Sequence, residues 1–258
     1  LFAGTSLFHS RKIGRFDLVI GANAYSTDGY REYETEERAR VNMNLRYRSK
    51  KIEGLSFGAN ANYMGLDKTE FFLWQNADSG AYRQSPDAIT RNVGERVNVD
   101  PYIVYIKENG TKHSLRTRYF HIKNDIPDDE AKNNAADLYY GEYQFQKKVL
   151  KDAALTLGTV GTWSEITAKL YGNHTSSNVS VYAQIDKRFG RLNLSAGFRA
   201  EYFRIDKEET VTVINGDSVK ELPIQPVFRL GMNYQLAEYT FLRGSVGQGY
   251  RFPTIAEK

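Results

Sequence analysis

The chain has 258 residues, with 35 Lys and Arg, 31 Asp and Glu, four His and no Cys. The lack of Cys excludes disulfides, thiolate metal sites and Cys nucleophiles, and the small net charge of +4, spread along the sequence, argues against a nucleic-acid surface. No apolar run has a length near the roughly 18 residues that a transmembrane helix needs.

From its first residues the sequence alternates apolar and polar side chains with a period of two, which is typical of β-strands with two different faces. The alternation is strongest at Ala39–Arg48, where every odd residue is apolar and every even residue is Arg or Asn. About twelve strands are predicted in this way. They are Leu1–Ser10, Phe16–Tyr25, Ala39–Arg48, Leu55–Tyr63, Val97–Ile106, Ser114–Phe120, Tyr139–Phe145, Leu155–Trp163, Val179–Asp186, Leu192–Phe203, Phe228–Tyr234 and Phe241–Tyr250.

The connections between these strands alternate between short turns and long polar loops. The short turns are predicted at Arg11–Arg15, Arg48–Gly54, Glu108–Lys112, Lys147–Asp152, Lys187–Arg191 and Gln235–Glu238. The long loops are predicted at Ser26–Glu37, Gly65–Arg96, Ile122–Asp137, Ser164–Ser177 and Ile205–Glu221. A bacterial outer-membrane barrel sorts its connections by end in this way, with short periplasmic turns and longer extracellular loops.

These patterns predict an all-β, antiparallel up-and-down transmembrane β-barrel. In hydrocarbon every backbone polar group must be bonded internally, so a chain of alternating strands spans only as a barrel. The alternative is a soluble sandwich with a dry apolar core. Aromatic residues near strand ends favour the barrel, because such rings prefer membrane interfaces. They are Tyr25, Tyr47, Tyr63, Tyr119, Trp163, Tyr202 and Tyr234. Helix is expected only as a turn or two within Asp128–Leu138.

The last predicted strand runs into a motif in which Gly249, Tyr250, Arg251, Pro253, Thr254 and Glu257 follow the order G-[YF]-[RK]-x-P-[TN]-x-x-[EQ]. This segment resembles the barrel of TonB-dependent outer-membrane receptors. The resemblance implies a larger barrel, 22-stranded in that family, with an N-terminal plug domain and with energy supplied through TonB. It also implies that the motif lies at the outer face.

On this resemblance, residues 1–258 are expected to be a barrel portion only, with the plug domain and the remaining strands outside the sequence. The expected function is capture and active import of a bulky, scarce nutrient such as a siderophore–iron complex, haem, cobalamin or a glycan. The expected location is the outer membrane of a Gram-negative bacterium. Expected partners are outer-membrane lipid, an extracellular ligand, the plug and the TonB complex. No cofactor and no catalysis are expected. The alternatives are a passive porin and an outer-membrane barrel hydrolase.

The long loop Gly65–Arg96 is the candidate site for ligand. It combines aromatic and cationic side chains, and loops on a rigid scaffold often carry binding. The candidate residues are Phe71, Phe72, Trp74, Tyr82, Arg83 and Arg91. The alternative is that these aromatics pack within their own loop or rest on the membrane rim.

Three further groups are weaker candidates. The acidic segment Asp125–Glu130 offers oxygen ligands for Ca²⁺ but lacks the spacing of an EF-hand, so no metal site is assigned. His121 near Asp125, and His174 near Ser176 and Ser177, are the only combinations that a hydrolase could use. Charges on the polar face could hold a plug through ion pairs. These are Arg40, Arg46, Arg116, Arg118, Arg199, Glu201, Arg229 and Arg243.

Overall fold

The computed structural model describes residues 1–78, 80–206, 211–214, 217–220 and 224–249. About three quarters of them lie in β-strands. The strands are β1 (Phe2–Ile13), β2 (Phe16–Thr27), β3 (Glu36–Arg48), β4 (Leu55–Glu70), β5 (Thr90–Ile106), β6 (Lys112–Asp125), β7 (Asn134–Leu150), β8 (Ala153–Ala168), β9 (His174–Phe189), β10 (Leu192–Ile205), β11 (Val211–Ile214), β12 (Asp217–Lys220), β13 (Ile224–Ala237) and β14 (Thr240–Gly247).

Twelve of these strands form one sheet, in the order β1-β2-β3-β4-β5-β6-β7-β8-β9-β10-β13-β14. Each strand of this sheet pairs antiparallel with its neighbours in that order, so the sheet is an up-and-down meander in which β11 and β12 are bypassed between β10 and β13. The predicted fold class and strand number are therefore confirmed. The sequence did not predict the small hairpin of β11 and β12, which pair with each other.

The apolar residues of the sheet do not meet in a dry centre. Val41, Met43, Phe57 and Phe198 are between 37 and 51% exposed, and only a few apolar side chains among the described residues are buried. A sandwich would bury these residues between two sheets. An apolar face that stays open is instead the surface that a barrel presents to lipid. No described helix has the length and apolar character needed to cross a bilayer.

Aromatic side chains form two bands on the apolar face, because residues paired across antiparallel strands share a face. Near the short turns, the ring centroids of Phe16 and Tyr47 are 4.6 Å apart, and Tyr47 and Phe57 follow at 5.3 Å. Near the long loops, Tyr119 and Tyr139 are 5.3 Å apart.

One predicted member of these bands is wrong. Tyr25 is paired with Gly4 and Arg38 on the polar face, and its ring lies under the Arg38 guanidinium. It follows Ala24, an apolar-face residue, and adjacent residues of a strand point to opposite faces. The two-residue period therefore predicts which aromatic residues belong to these bands better than position near a strand end does.

The strands are longer than predicted at their long-loop ends, so the predicted loop boundaries are wrong. The observed loops are residues 28–35, 71–89, 126–133 and 169–173, and the connection between β10 and β13 contains the β11–β12 hairpin. The predicted loop Ser164–Ser177 shrinks to residues 169–173, because polar residues such as Glu165 and Thr167 continue the ladder with β7. Alternation fails as a signal there, since both faces of a strand are polar once it leaves the apolar zone.

The expected helix within Asp128–Leu138 is reduced to a single 3-10 turn at Glu130–Lys132. The carboxylate of Asp129 accepts a hydrogen bond from the Ala131 amide and caps this turn. From Asn134 onward the chain belongs to β7.

The short turns confirm the predicted connections of the hairpins. At the turn between β3 and β4, Gly54 has φ +76° and its carbonyl accepts the Ile106 amide at 3.0 Å. A Cβ at this position would collide with the Ile106 carbonyl, so only glycine fits. This glycine locks the turn against the end of β5.

Candidate functional site at the long-loop end

Two loops at the long-loop end are fastened to each other. Arg83, in the loop of residues 71–89, donates through Nε to Glu32 Oε2 at 2.8 Å and through Nη2 to Glu32 Oε1 at 3.2 Å. The backbone amide of Glu32 also donates to the Tyr82 carbonyl at 2.8 Å. This two-pronged arrangement fixes orientation as well as distance. We call the Glu32–Arg83 pair the loop clamp.

Arg31 makes a second connection between the same loops. Its guanidinium donates to the Glu34 carboxylate at 2.7 Å, and its Cζ lies 4.1 Å from the centre of the Phe71 ring. The ring of Tyr30 lies 5.0 Å away. A guanidinium over an aromatic face is attracted by the ring quadrupole. Phe71 therefore serves to hold the loop of residues 28–35.

The longer loop has its own internal order. Residues 74 and 84 form an antiparallel bridge, and the Ser85 amide donates to the Leu73 carbonyl at 3.0 Å. The Gln84 side chain is buried and its Nε2 donates to the Glu70 carbonyl at 2.9 Å. These bonds shape the loop as a short hairpin above β4 and β5.

The aromatic side chains on these two loops point outward. Among them Tyr30, Tyr33, Phe72, Trp74 and Tyr82 are between 62 and 75% exposed. We call these five residues the aromatic platform. Their exposure argues against the alternative in which they pack within their own loop. A rigid pair of loops that holds large rings in solvent can stack against a flat or ring-bearing ligand.

The structure sorts the six candidate residues into three roles. Phe72, Trp74 and Tyr82 belong to the platform, while Phe71 and Arg83 hold the loops together. Arg91 lies in β5, outside the loop, and donates to Asp67 on β4 at 2.6 and 2.9 Å. It was predicted within a loop because β5 begins earlier than its alternation shows.

Residues of the loop at 28–35 were not predicted to belong to the site. Tyr30 and Tyr33 complete the platform, and Glu32 supplies the clamp. The signal was present in the segment DGYREYETEE, where aromatic residues alternate with charges between two strands. Without coordinates nothing placed this segment beside the loop of residues 71–89.

Ion pairing lowers the pKa values of two carboxyl groups in this site. The hydrogen bonds from Arg83 hold the pKa of Glu32 below its ordinary value of 4.5. Hydrogen bonding from Arg31 does the same for the pKa of Glu34. Both carboxylates therefore stay charged at neutral pH, and the loops stay joined.

The acidic segment Asp125–Glu130 is occupied by cations of the chain itself. Lys123 Nζ lies 2.6 Å from Asp125, Lys132 Nζ 3.0 Å from Asp129, and Lys169 Nζ 3.0 Å from Glu130. Among the described residues there is no cluster of three or more groups suited to hold a metal ion. These carboxylates stabilise the neighbouring loops through ion pairs.

The two histidines considered for hydrolysis are paired differently from the expectation. His121 Nδ1 lies 2.9 Å from Asp137, which also accepts the Tyr119 hydroxyl at 2.7 Å, on the apolar face above the upper aromatic band. His174 contacts Asp206 through Nδ1 and the Tyr171 carbonyl through Nε2. Both ring nitrogens of His174 are thus used in holding a loop, and the contacts give no nucleophile arrangement.

Several charges of the polar face bond to one another along the wall. Arg46 and Arg48 both contact Asp17, and Arg118 donates to Asp100 at 2.7 Å. The Tyr140 and Tyr182 hydroxyls donate to Glu142, at 3.1 and 2.8 Å. This pairing lowers the cost of placing so many charges on one face, which suits a wet interior.

The terminal motif falls mostly outside the described residues. Gly249 is described as exposed chain beyond β14, whereas Tyr250, Arg251, Pro253, Thr254 and Glu257 are not described. β14 rises from a short turn, so Gly249 lies at the long-loop end, as expected for this motif.

Comparison with known families gives one match that covers almost the whole chain. Residues 4–258 match the family described as "TonB dependent receptor-like, beta-barrel". No curated protein sequence matches the chain significantly.

Solved structures resemble the chain in fold at low sequence identity. The ferric-catecholate import receptor Fiu of E. coli K12 in its open form has a TM-score of 0.69 and 11% identity, covering 95% of this chain and 52% of Fiu. The FrpB iron transporter of Neisseria meningitidis (F3-3 variant) gives 0.69 and 13%, with 95% and 43% covered. FpvA of P. aeruginosa, bound to heterologous pyoverdines, gives 0.68 and 11%, with 95% and 40% covered. The chain therefore spans about half, or less, of the length of these receptors, and the likeness shows the fold alone.

Proposed function

Because the chain belongs to the TonB-dependent receptor-like β-barrel family, we propose that it is a barrel portion of an outer-membrane receptor that captures a bulky, scarce nutrient and imports it. In this proposal the long-loop end faces the outside of a Gram-negative cell and the short turns face the periplasm. The apolar face contacts lipid and the polar face lines the interior.

The observation that carries the proposal is the aromatic platform on clamped loops. Five large rings stand in solvent at the end that would face outward, and the loop clamp with Arg31 holds them in place. Pre-ordered loops reduce the conformational entropy that binding costs. Such a surface suits a ligand with rings or flat faces rather than a small ion.

We further propose that the ligand is a metal chelate of the siderophore type, with haem, cobalamin and glycans as the other candidates. Fiu, FrpB and FpvA are described as a ferric-catecholate receptor, an iron transporter and a pyoverdine-bound protein. Stacking on Trp74 and Tyr82 fits catecholate or planar chelate rings.

In this proposal, active transport also requires the plug domain and TonB, which belong to the whole receptor. A plug domain would contact the polar face, where Arg229 makes no ion pair with any described residue. TonB would act through that plug. The chain's own contribution is the wall and the capture surface.

The test of this function is ligand binding by cells that express the receptor with altered platform residues. Trp74→Ala and Tyr82→Ala are each expected to weaken binding by about five-fold, since stacking of one aromatic ring contributes on the order of 1 kcal/mol. The measurement is uptake and equilibrium binding of ferric catecholates, haem, cobalamin and oligosaccharides, each labelled.

Tyr239→Ala is the control, because Tyr239 is also an exposed ring and lies at the opposite end of the sheet. The platform proposal is wrong if Tyr239→Ala and Trp74→Ala change binding equally. Steady ion conductance in planar bilayers without any energy source would instead indicate a passive porin.

A further inference from the structure

The short-turn end carries an excess of basic side chains. Lys and Arg outnumber Asp and Glu in five successive segments there, at residues 11–17, 46–54, 107–112, 147–152 and 186–191. The sequence spaces these residues widely, but the up-and-down topology brings every second connection to the same end. The fold thus turns a dispersed charge into a basic rim.

Most cations of this rim have no carboxylate partner among the residues that the structure describes. Within the described part of the chain, Arg46 and Arg48 are the rim residues that form ion pairs, and both use Asp17. Cations of the long-loop end behave differently, because Arg31, Arg83, Lys123 and Lys169 are all paired. The rim therefore offers positive charge that the protein itself does not neutralise.

Several rim cations lie on the apolar face, where the lipid would be. Arg11 is paired with Leu18, Lys147 with Leu155 and Lys187 with Leu194. Lys107 lies two residues after Tyr105, and its Nζ lies 5.9 Å from the centre of the Tyr105 ring. Lysine and arginine at such positions extend their stems along apolar surface and place the charge at the interface.

A groove on the apolar face ends at one of these cations. It has a volume of about 630 Å³ and crosses β9, β10, β13 and β14, with Ile185, Leu194, Leu230, Met232 and Val246 among its lining residues. Ala196 has a small side chain and Gly244 has none, so a depression remains between the larger side chains. Lys187 borders it toward the short turns, with Nζ 5.1 Å from the centre of the Phe189 ring.

We propose that the basic rim binds anionic phospholipid, with an acyl chain in this groove and the headgroup phosphate at Lys187. The proposal rests on the membrane orientation given under the proposed function. An apolar groove alone would accept any lipid chain, and an exposed lysine alone would attract any anion. Their adjacency selects a molecule that has both a chain and a negative headgroup. Each lysine near an anionic headgroup layer adds about five-fold to the affinity.

The test compares phosphatidylglycerol with phosphatidylcholine of identical acyl chains. The protein is purified in neutral detergent, mixed with each lipid, and the lipid retained is counted by native mass spectrometry. The wild type is expected to retain phosphatidylglycerol several-fold better. Lys187→Gln should reduce that retention about five-fold and leave phosphatidylcholine unchanged. Lys123→Gln, a cation paired with Asp125 at the opposite end, should change neither.

A second variant tests the groove without altering charge. Nothing lies within 4 Å of a Cβ built on Gly244, so Gly244→Leu can be accommodated and should fill the depression. It is expected to lower the retention of phosphatidylglycerol. If it retains the lipid fully while glycerol phosphate displaces it, the rim is a simple phosphate site and the lipid proposal is wrong.

Two outcomes separate this inference from the proposed function. Equal retention of the two lipids by a protein that inserts into vesicles and binds its ligand would overturn the inference only. Failure to insert into vesicles of either lipid would overturn the outer-membrane location together with the inference.

Discussion

At the scale of single residues, the loop clamp shows how a capture surface is held in place by one ion pair. Glu32 and Arg83 belong to loops separated by two strands, and their pairing aligns Tyr30 and Tyr33 with Trp74 and Tyr82. An exposed ion pair contributes little to global stability. Its effect here is on the position of the loops, which is what a ligand senses.

The clamp is expected to open in acid. The pKa of Glu32 is lowered by its hydrogen bonds with Arg83, so the clamp is fully formed above the ordinary pKa of 4.5 and is lost as pH falls through the lowered value. The measurement is the fluorescence anisotropy of Trp74 in a Trp163→Phe background, since the chain has only two Trp. Anisotropy should fall only below about pH 4.5.

Glu32→Gln should give the low anisotropy already at pH 7, because the charge is absent. Asp87→Asn serves as the control, since Asp87 lies in the same loop as Arg83 and Trp74 and forms no ion pair among the described residues. An acid transition that persists unchanged in Glu32→Gln would contradict the clamp.

At the scale of elements, the two-residue period predicted which residues of a strand share the apolar face, and the pairing in the sheet confirms this for β3. Met43 and Asn42 are adjacent in β3, yet Met43 stands open on the apolar face while Asn42 is paired with Gly21 and Asn62 on the polar face. A one-residue shift would reverse every such assignment.

This assignment predicts opposite responses to one substitution at neighbouring positions. Met43→Lys keeps the side-chain volume but places a charge toward lipid, and is expected to cost about 2–4 kcal/mol of folding free energy in a bilayer. Asn42→Lys should cost about 1 kcal/mol or less, because its face is wet. The measurement is urea unfolding in vesicles. Equal costs at both positions would show that the two faces do not differ.

How much the sequence predicted differs between strands and loops. The strands between their aromatic bands were predicted from alternation, because lipid and water impose it. Above the band the constraint disappears, so the outer parts of β4 and β5 were assigned to a loop, and Arg91 with them. The platform was half predicted, since Trp74 and Tyr82 share a loop whereas Tyr30 and Tyr33 reach them only through contacts between loops.

At the scale of the whole molecule, the two ends differ in shape and in charge. The long-loop end carries paired charges and exposed rings, and most cations of the short-turn end form no ion pair with the described residues. The protein's orientation in a membrane can therefore be tested without knowledge of its ligand.

The absence of native Cys makes that test direct. The single variants W74C and Y239C place thiols at exposed positions on opposite ends. A membrane-impermeant maleimide added to intact cells should label W74C only. After the outer membrane is permeabilised, both should react. Labelling of Y239C alone on intact cells would show that the orientation is inverted.

The meander, in which all strands of the large sheet except β10 and β13 bond to their neighbours in sequence, has a consequence for how such walls change in size. Because a hairpin begins and ends on the same side, a duplicated hairpin enters with its turn and flanking loops already on the proper sides. A single inserted strand would instead reverse the direction of every strand that follows it. The later loops and turns would then lie on the wrong sides of the membrane. The architecture thus permits growth by gene duplication in steps of two strands and resists growth by one.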